Sequence, residues 1–438
     1  MLQQGIHAFK GKRILLLQGP AGPFFRRLSR DLTLAGARVF KVNFNGGDFF
    51  FYPRGAISFR GRADAWPVFF EDLLERLNID IVLLFGDCRP LHRIACAIVQ
   101  RRGLEIGVFE EGYLRPDYVT IERYGVNGFS QVPRSALFYL KLKKRKVEPP
   151  MHVGNTFWHT VSWVCLYYLA GILLKPLFRH YVHHRPLTLR EVLPWLRSLW
   201  RKAYYAVKER NISARLTGTL AKRFYLVPLQ VHNDSQIHTH SHFESVPHFI
   251  RHVVASFAHR APRKTVLVIK HHPMDRAYSD YTPLVQELIE THALQGRCFY
   301  IHDQHLPSLL KRTRGVVVVN STVGLSALYH GAPVKVCGNA LYDIEGLTFR
   351  GPLGEFWRES HQSRPNHNLY DRFTNYLIQR TQLNGSFYKR LPNLGMETGL
   401  RWMNRKISSN AVMLKKASGH GKIDSSSPES AKILNKTL

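Results

Sequence analysis

Residues 315–331 read GVVVVNSTVGLSALYHG, and this stretch decides the fold. The four consecutive valines, Val316–Val319, make a run too short and too β-branched for a helix. They predict a strand buried on both faces. A polar loop, Asn320-Ser321-Thr322, follows at once, and then a helical pattern that stops at Gly331. Strand, polar loop and helix form one βα unit, and the unit recurs. Upstream lie YLVPLQV (225–231) with the loop HNDSQI, TVLVIK (265–270) with HHPMD, and CFYIHD (298–303); APVKVCG (332–338) closes the series. The first half of the chain repeats the scheme. RILLLQ (13–18) ends in the loop QGPAGPFF, before a helix with Phe25, Leu28, Leu32 and Leu34 inward that ends at Gly36. ARVFKVNF (37–44) runs into a turn at Asn45-Gly46-Gly47-Asp48, and IDIVLLFGDCRP (79–90) and LEIGVFEEGYLRP (104–116) follow. Strands alternating with helices in this way predict two parallel, doubly wound α/β domains. Ligands of such sheets bind at the carboxyl ends of the strands, so the polar residues just after each run are the candidates for chemistry.

Between the halves the pattern changes. KLKKRKVEPP (141–150) reads as a basic linker stopped by two prolines. NTFWHTVSWVCLYYLAGILLKPLF (155–178) carries no formal charge from Asn155 to Leu174. Its Trp and Tyr content suits a core helix or a membrane-interface helix better than a bilayer span. A second helix follows Pro194, with Trp195, Leu196, Leu199, Trp200 and Ala203 on one face and Arg197, Arg201, Lys202 and Lys208 on the other. It is either a packed helix with a solvated face or a basic surface that touches anionic lipid. The expected organisation is therefore a first Rossmann-like domain over 1–150, a helical aromatic and basic segment over 151–215, a second Rossmann-like domain over 216–390, and a C-terminal helix with a disordered tail over 391–438.

The 438 residues are 45% hydrophobic, which excludes wholesale disorder. Lys plus Arg number 62 against 31 Asp plus Glu, a net charge of +31, so an anionic partner is expected: nucleic acid, phospholipid or an acidic substrate. The excess is densest over 151–215, where ten basic residues face two acidic ones. No nucleic-acid recognition module is visible, which argues against a nucleic-acid partner. Five scattered cysteines without CxxC spacing fit a reducing compartment, and Met1–Lys12 shows no apolar signal segment, so a cytoplasmic location is expected.

Four strand-end clusters carry candidate chemistry. Asn320, Ser321 and Thr322 open a helix whose free amides and hydroxyls could cradle a phosphate; the plain alternative is a helix cap. Lys270, His271, His272 and Pro273 could hold a phosphate or carboxylate. Gln230 and Asp234 place a carboxylate beside amides, suited to a nucleophile or electrostatic stabiliser in sugar chemistry, or to an Asx turn. Glu110 and Glu111 are adjacent carboxylates, and such pairs raise one pKa toward acid/base use. Arg89 and Arg115, at strand ends of the first domain, match phosphate oxygens bidentately or form structural ion pairs. His238, His240, His242 and His248 match no standard metal spacing, and no metal is expected.

Taken in order, QGPAGPFF, FNGGD, FGDCRPLH, FEEGYLRPDYVT, LQVHNDSQI, VIKHHPMDR, NSTVGLSAL and GNALYDIEGLT resemble the capsular polysaccharide biosynthesis proteins of Gram-negative bacteria, and among them the single-domain β-Kdo transferases of the KpsS type. The likeness spans roughly residues 10–390. It implies a GT-B-like fold with two Rossmann-like βα domains facing a central cleft. It also implies a retaining transfer of Kdo from CMP-β-Kdo to (lyso)phosphatidylglycerol, without a cofactor or metal. On that resemblance Gln230, Asp234, His272 and Pro273 mark the active site. Asp234 would act as nucleophile or stabiliser, and Glu110 or Glu111 as base. Lys270, His271 and His272 would hold the CMP phosphate or Kdo carboxylate, and Asn320–Thr322 the leaving phosphate. Arg89 and Arg115 would meet the acceptor. Expected partners are the donor, the phospholipid, an anionic membrane surface on the cytoplasmic face of the inner membrane, and other capsule-assembly proteins. A nucleotide-sugar epimerase and a non-catalytic component of an export complex are the competing readings.

Overall fold

The computed structural model describes residues 5–143, 147–182 and 192–390. Residues 144–146 of the basic linker, and 391–438 with their expected helix and disordered tail, lie outside the described residues. The apolar runs become strands β1 (Arg13–Leu16), β2 (Arg38–Asn43), β4 (Ile81–Phe85), β5 (Glu105–Glu111), β7 (Phe224–Pro228), β8 (Val266–Lys270), β9 (Cys298–Ile301), β10 (Gly315–Val318) and β11 (Val334–Val336). Three strands were not legible as apolar runs: β3 (Ile57–Ser58), β6 (Tyr118–Arg123) and β12 (Gln382–Asn384).

These strands form two sheets, in the orders β12-β6-β5-β4-β1-β2-β3 and β11-β10-β7-β8-β9. Without β6 and β12, both halves have one topology: the chain winds outward from β1 or β7 to one side, then returns to the other. The order reverses between β1 and β4, and between β7 and β10. At such a reversal the connecting loops diverge and leave a crevice at the carboxyl ends of the strands. In the second sheet all pairings are parallel, with Leu226 paired to both Val316 and Val268. Alternate residues feed two cores: Tyr225, Val227, Leu267 and Ile269 on one face, Phe224, Leu226, Val268 and Val316 on the other. Both faces are covered, which is why these strands read as continuous apolar runs.

The first sheet is mixed. After β5 the chain reverses at Gly112, where a Cβ would lie 1.9 Å from the Tyr118 carbonyl, so only glycine allows the return. β6 then runs antiparallel to β5. β12 arrives from the far end of the chain and pairs antiparallel with β6, Gln382 opposite Thr120 and Asn384 opposite Tyr118. Residues 382–384 thus belong to the first sheet, although sequence order groups them with the second domain.

The central segment is divided between the domains. Helix Phe157–Leu173 packs on the first. There the expected turn at Asn45–Asp48 is instead the start of a short helix, Gly46–Phe51, capped by the Asn45 side chain. Its glycines are set by that packing: a Cβ on Gly46 would meet the Ala170 carbonyl at 2.4 Å, and one on Gly47 the Tyr167 ring at 2.5 Å. Helix Val192–Lys208 packs on the second domain, and it starts before Pro194, which occupies the first turn where proline is tolerated. Its cationic face is split: Arg197, Lys202 and Lys208 are exposed, as a solvated or lipid-facing surface requires, but Arg201 is not. Leu199, Trp200, Tyr204 and Val207 are exposed, and Arg201 is buried. The reason is local: the Arg201 guanidinium donates to the carbonyls of Arg276 (2.7 Å) and Ser279 (3.3 Å) and to Asp280 (3.2 Å), so its burial is compensated. Leu34, expected inward, ends its helix and is exposed. Among the described residues no helix is long and apolar enough to cross a membrane.

Candidate active site

The loops after β7 and β10 meet at the reversal point of the second sheet. Gln230 Nε2 donates to Asp234 Oδ2 at 2.9 Å and to Asn320 Oδ1 at 3.0 Å, while Asn320 Nδ2 donates to the Gln236 carbonyl at 2.9 Å. Gln230 is buried, and its Oε1 has no partner. Asp234 also caps the six-residue helix Ser235–His240, its Oδ1 accepting from Gln236 N at 2.9 Å. The cap and the polar network are therefore one arrangement: two donors hold the partly exposed carboxylate in a fixed orientation. Ser321 accepts from Val323 N, its carbonyl accepts from Tyr342 OH, and Thr322 makes no side-chain cap.

The loop after β8 contributes differently. His272 Nδ1 accepts from Met274 N at 3.2 Å, which fixes the neutral tautomer with its proton on Nε2. Burial, with Lys270 nearby, lowers its pKa to about 4, so it is a neutral donor at physiological pH. His271 is deeply buried, also lowered to about 4, and bonded through Nδ1 to Tyr300 OH at 2.6 Å. Lys270 Nζ donates to the His302 carbonyl at 2.9 Å, which makes it a brace between loops. Pro273 opens the short turn that follows.

From the first domain, Glu110 and Glu111 are the last two residues of β5, not loop residues after it. Burial raises the Glu110 pKa to about 7, with Glu111 and Asp87 adding to the rise and Arg115 opposing it. Glu111 accepts from Tyr388 OH at 3.0 Å. Arg115 donates to the Gly112 carbonyl at 3.1 Å, and its charge acts on both Glu110 and His272. Arg89 packs 5.3 Å over the Phe85 ring. The domains touch beside these groups. Gln236 Nε2 donates to Cys88 Sγ at 3.7 Å, Cys88 lies 4.0 Å from His240 Nε2, and Arg134 reaches Asn339.

Two residues escaped the sequence reading. Asp275, fully buried, accepts from His232 N at 3.2 Å and binds its Nδ1, joining the loops after β7 and β8. It stood within HHPMD, but its role depends on a histidine 43 positions away. Tyr388 clasps Glu111 from the returning C-terminal segment and carried no local signal. The histidines at 238–248 are dispersed: His240 packs on Phe129, and His242 faces His252. Among the described residues no three His, Cys, Asp or Glu side chains converge as a metal site.

Two doubly wound sheets, with polar strand ends brought together between them, define a GT-B-like α/β protein. Residues 80–388 match the model of the capsule polysaccharide biosynthesis proteins. The chain belongs to that family. It is 42% identical over 383 residues to the Escherichia coli capsule polysaccharide export protein KpsS, covering 86% of this chain and 97% of that one. It is 41% identical to the capsule polysaccharide modification protein LipB of Neisseria meningitidis serogroup B, covering 87% and 92%. Among solved structures it is similar to the KpsC β-Kdo 2,7 transferase of Thermosulfurimonas dismutans, with 15% identity, a TM-score of 0.42, and coverage of 93% and 100%.

Proposed function

We propose that the protein is a capsule glycosyltransferase that moves Kdo from CMP-β-Kdo to (lyso)phosphatidylglycerol with retention of configuration. The observation that carries this reading is the contact between the domains beside Asp234: Gln236 Nε2, in the helix that Asp234 caps, donates at 3.7 Å to Cys88 Sγ, just after β4, the neighbour of the strand that ends in Glu110 and Glu111. The relatives named for capsule export and modification support a place in capsule assembly.

On this reading Asp234 Oδ attacks the anomeric carbon of Kdo, and the bond to the CMP phosphate breaks with its electron pair leaving on CMP. The acceptor hydroxyl then gives its proton to Glu110 and attacks the same carbon, releasing Asp234. Two inversions return the original configuration. His272 donates its Nε2 proton to the leaving phosphate or the Kdo carboxylate. Gln230 and Asn320 orient Asp234, and Arg89 and Arg115 meet the acceptor. Lys270 and His271 hold the donor loop in shape. Glu110 is assigned as base over Glu111, whose carboxylate is occupied by Tyr388.

Asp234→Asn keeps the shape and loses the charge. With CMP-Kdo and a fluorescent phosphatidylglycerol, wild type should make a glycolipid heavier by one Kdo residue and β-linked by linkage analysis, and the variant none, while CMP affinity stays within about twofold. Turnover by the variant at the wild-type rate would remove Asp234 from the reaction. An epimerase would consume donor without making glycolipid, and activity that persists in EDTA is expected for a metal-independent site.

A further inference from the structure

The helix that Asp234 caps, Ser235–His240, ends in a side chain that leaves its own domain. His240 is 4% exposed, and its ring is met by residues of the first domain. Phe129 packs edge-on against it, with ring centroids 4.4 Å apart. Cys88 Sγ lies 4.0 Å from Nε2, and the charge of Asp87 acts on the ring. Gly128 lies against the other nitrogen: a Cβ there would stand 2.2 Å from Nδ1. The backbone of Gly128 has no positive φ, so it is the imidazole, and not the turn, that excludes a side chain at this position.

The seat for this ring is braced from both domains. Asp87 is buried and accepts from Val126 N at 2.9 Å through Oδ2, while Oδ1 accepts from Cys88 Sγ at 3.3 Å. Arg134 Nη2 and Asn339 Nδ2 both donate to the Gly128 carbonyl, at 3.2 and 3.4 Å, and Arg134 also donates to Asn339 Oδ1. Asn339 N in turn donates to the His240 carbonyl at 2.8 Å. The main chain of His240 is therefore held by the second domain and its ring by the first.

The loop that receives the ring is also the neighbour of the proposed base. Gly86 N donates to the Phe109 carbonyl at 2.9 Å, one residue before Glu110, and the charge of Asp87 acts on Glu110. At the other end of the helix, Asp234 Oδ2 accepts from Gln230. Six residues of helix span about 9 Å, so ring and carboxylate move as one short rod.

We propose that His240 is a positioning residue: by seating the Asp234 helix on the loop beside Glu110, it sets the alignment of the two carboxylates across the cleft. A nucleophile and a base carried by different domains must meet one carbon and one hydroxyl together. A misplacement of about 1 Å between them can cost roughly 10²-fold in rate. The inference rests on the transferase reading, and part of its test needs no turnover.

Cys88 reports the seat directly. Burial, with Asp87 alongside, pushes its thiol up to about 12, and the thiolate is the form that reacts with N-ethylmaleimide. Cys96, also pushed up to about 12 but packed against the core of the first domain, is the control. Peptide mass spectrometry of the full chain should show Cys88 alkylated at least about tenfold faster in His240→Ala than in wild type, with Cys96 unchanged. In the CMP-Kdo assay kcat should fall between about ten- and a hundredfold, while CMP affinity stays within about twofold, because the loops assigned to CMP belong to the second domain alone. Gly128→Ala approaches the contact from the other side. It should reproduce both effects in the wild-type background and change little further in His240→Ala, since the ring it would strike is gone. Additive losses from the two substitutions would overturn the proposal. So would a His240→Ala that melts like wild type and keeps its kcat and its Cys88 rate. Should His240→Ala not fold, Gly128→Ala with wild-type kcat and labelling would decide against it. Faster Cys88 labelling in this pattern, in a protein that transfers no Kdo, would keep the seat and sink the transferase reading. Transfer at the wild-type rate by a folded His240→Ala would do the opposite.

Discussion

Glu110 and Glu111 stand side by side in β5, and strand alternation turns them to opposite faces. One is drawn up to about 7 by burial, while the other meets the Tyr388 hydroxyl. A base must be ionised to accept a proton, and Glu110 loses that form as pH falls through about 7. The rate of transfer should therefore drop about tenfold per pH unit below 7, because His272, at about 4, stays neutral across that window. Glu110→Gln should cost roughly 10²–10⁴ in kcat. Glu122 is the control, since burial lifts it to about 7 as well, but it is bonded to Tyr113 OH at 2.6 Å and Ser130 Oγ at 2.5 Å. Glu122→Gln should keep the acidic limb of the profile. If that limb vanished in Glu122→Gln, the base would need reassignment.

The helix Val192–Lys208 shows what periodicity can and cannot say. Its amphipathic pattern was legible, but not which stripe faces inward, because Arg201 is buried by acceptors some 75 positions away. The outward stripe is aromatic and basic: Trp200 and Tyr204 stack at 5.5 Å, and Lys208 lies 5.2 Å from the Tyr204 ring centroid. An exposed apolar stripe with cations beside it is suited to an anionic bilayer surface, where each Lys or Arg contributes ~1 kcal/mol. Lys202→Ala with Lys208→Ala should then weaken binding to phosphatidylglycerol vesicles by roughly 25-fold. Binding to phosphatidylcholine should change little, and equal loss on both lipids would refute the electrostatic part. The parallel strands were legible for a simpler reason: burial on both faces makes each an unbroken apolar run. The Gln230–Asp234–Asn320 network was legible in its parts, since each follows such a run. The partners that hold the site, Asp275 and Tyr388, were not, because their roles exist only once distant segments meet.

At the level of the whole molecule, the second half of the chain returns to the sheet of the first. Gln382 closes the first sheet from 262 positions beyond Thr120, donating to its Oγ1 at 3.0 Å and accepting from Tyr113 N at 3.0 Å. Gln382→Ala would leave buried donors and acceptors unmet, a loss of about 1–3 kcal/mol. Urea unfolding should register it as a lower midpoint, and an unchanged midpoint would mean the strand is dispensable. β12 also changes what can be exchanged between relatives. A chimera cut at the linker between the halves would graft a foreign seventh strand, and a foreign Tyr388 position, onto the resident first sheet. The recombinant would inherit its donor specificity and the neighbourhood of Glu111 from the same parent, so the two cannot drift independently by simple module shuffling.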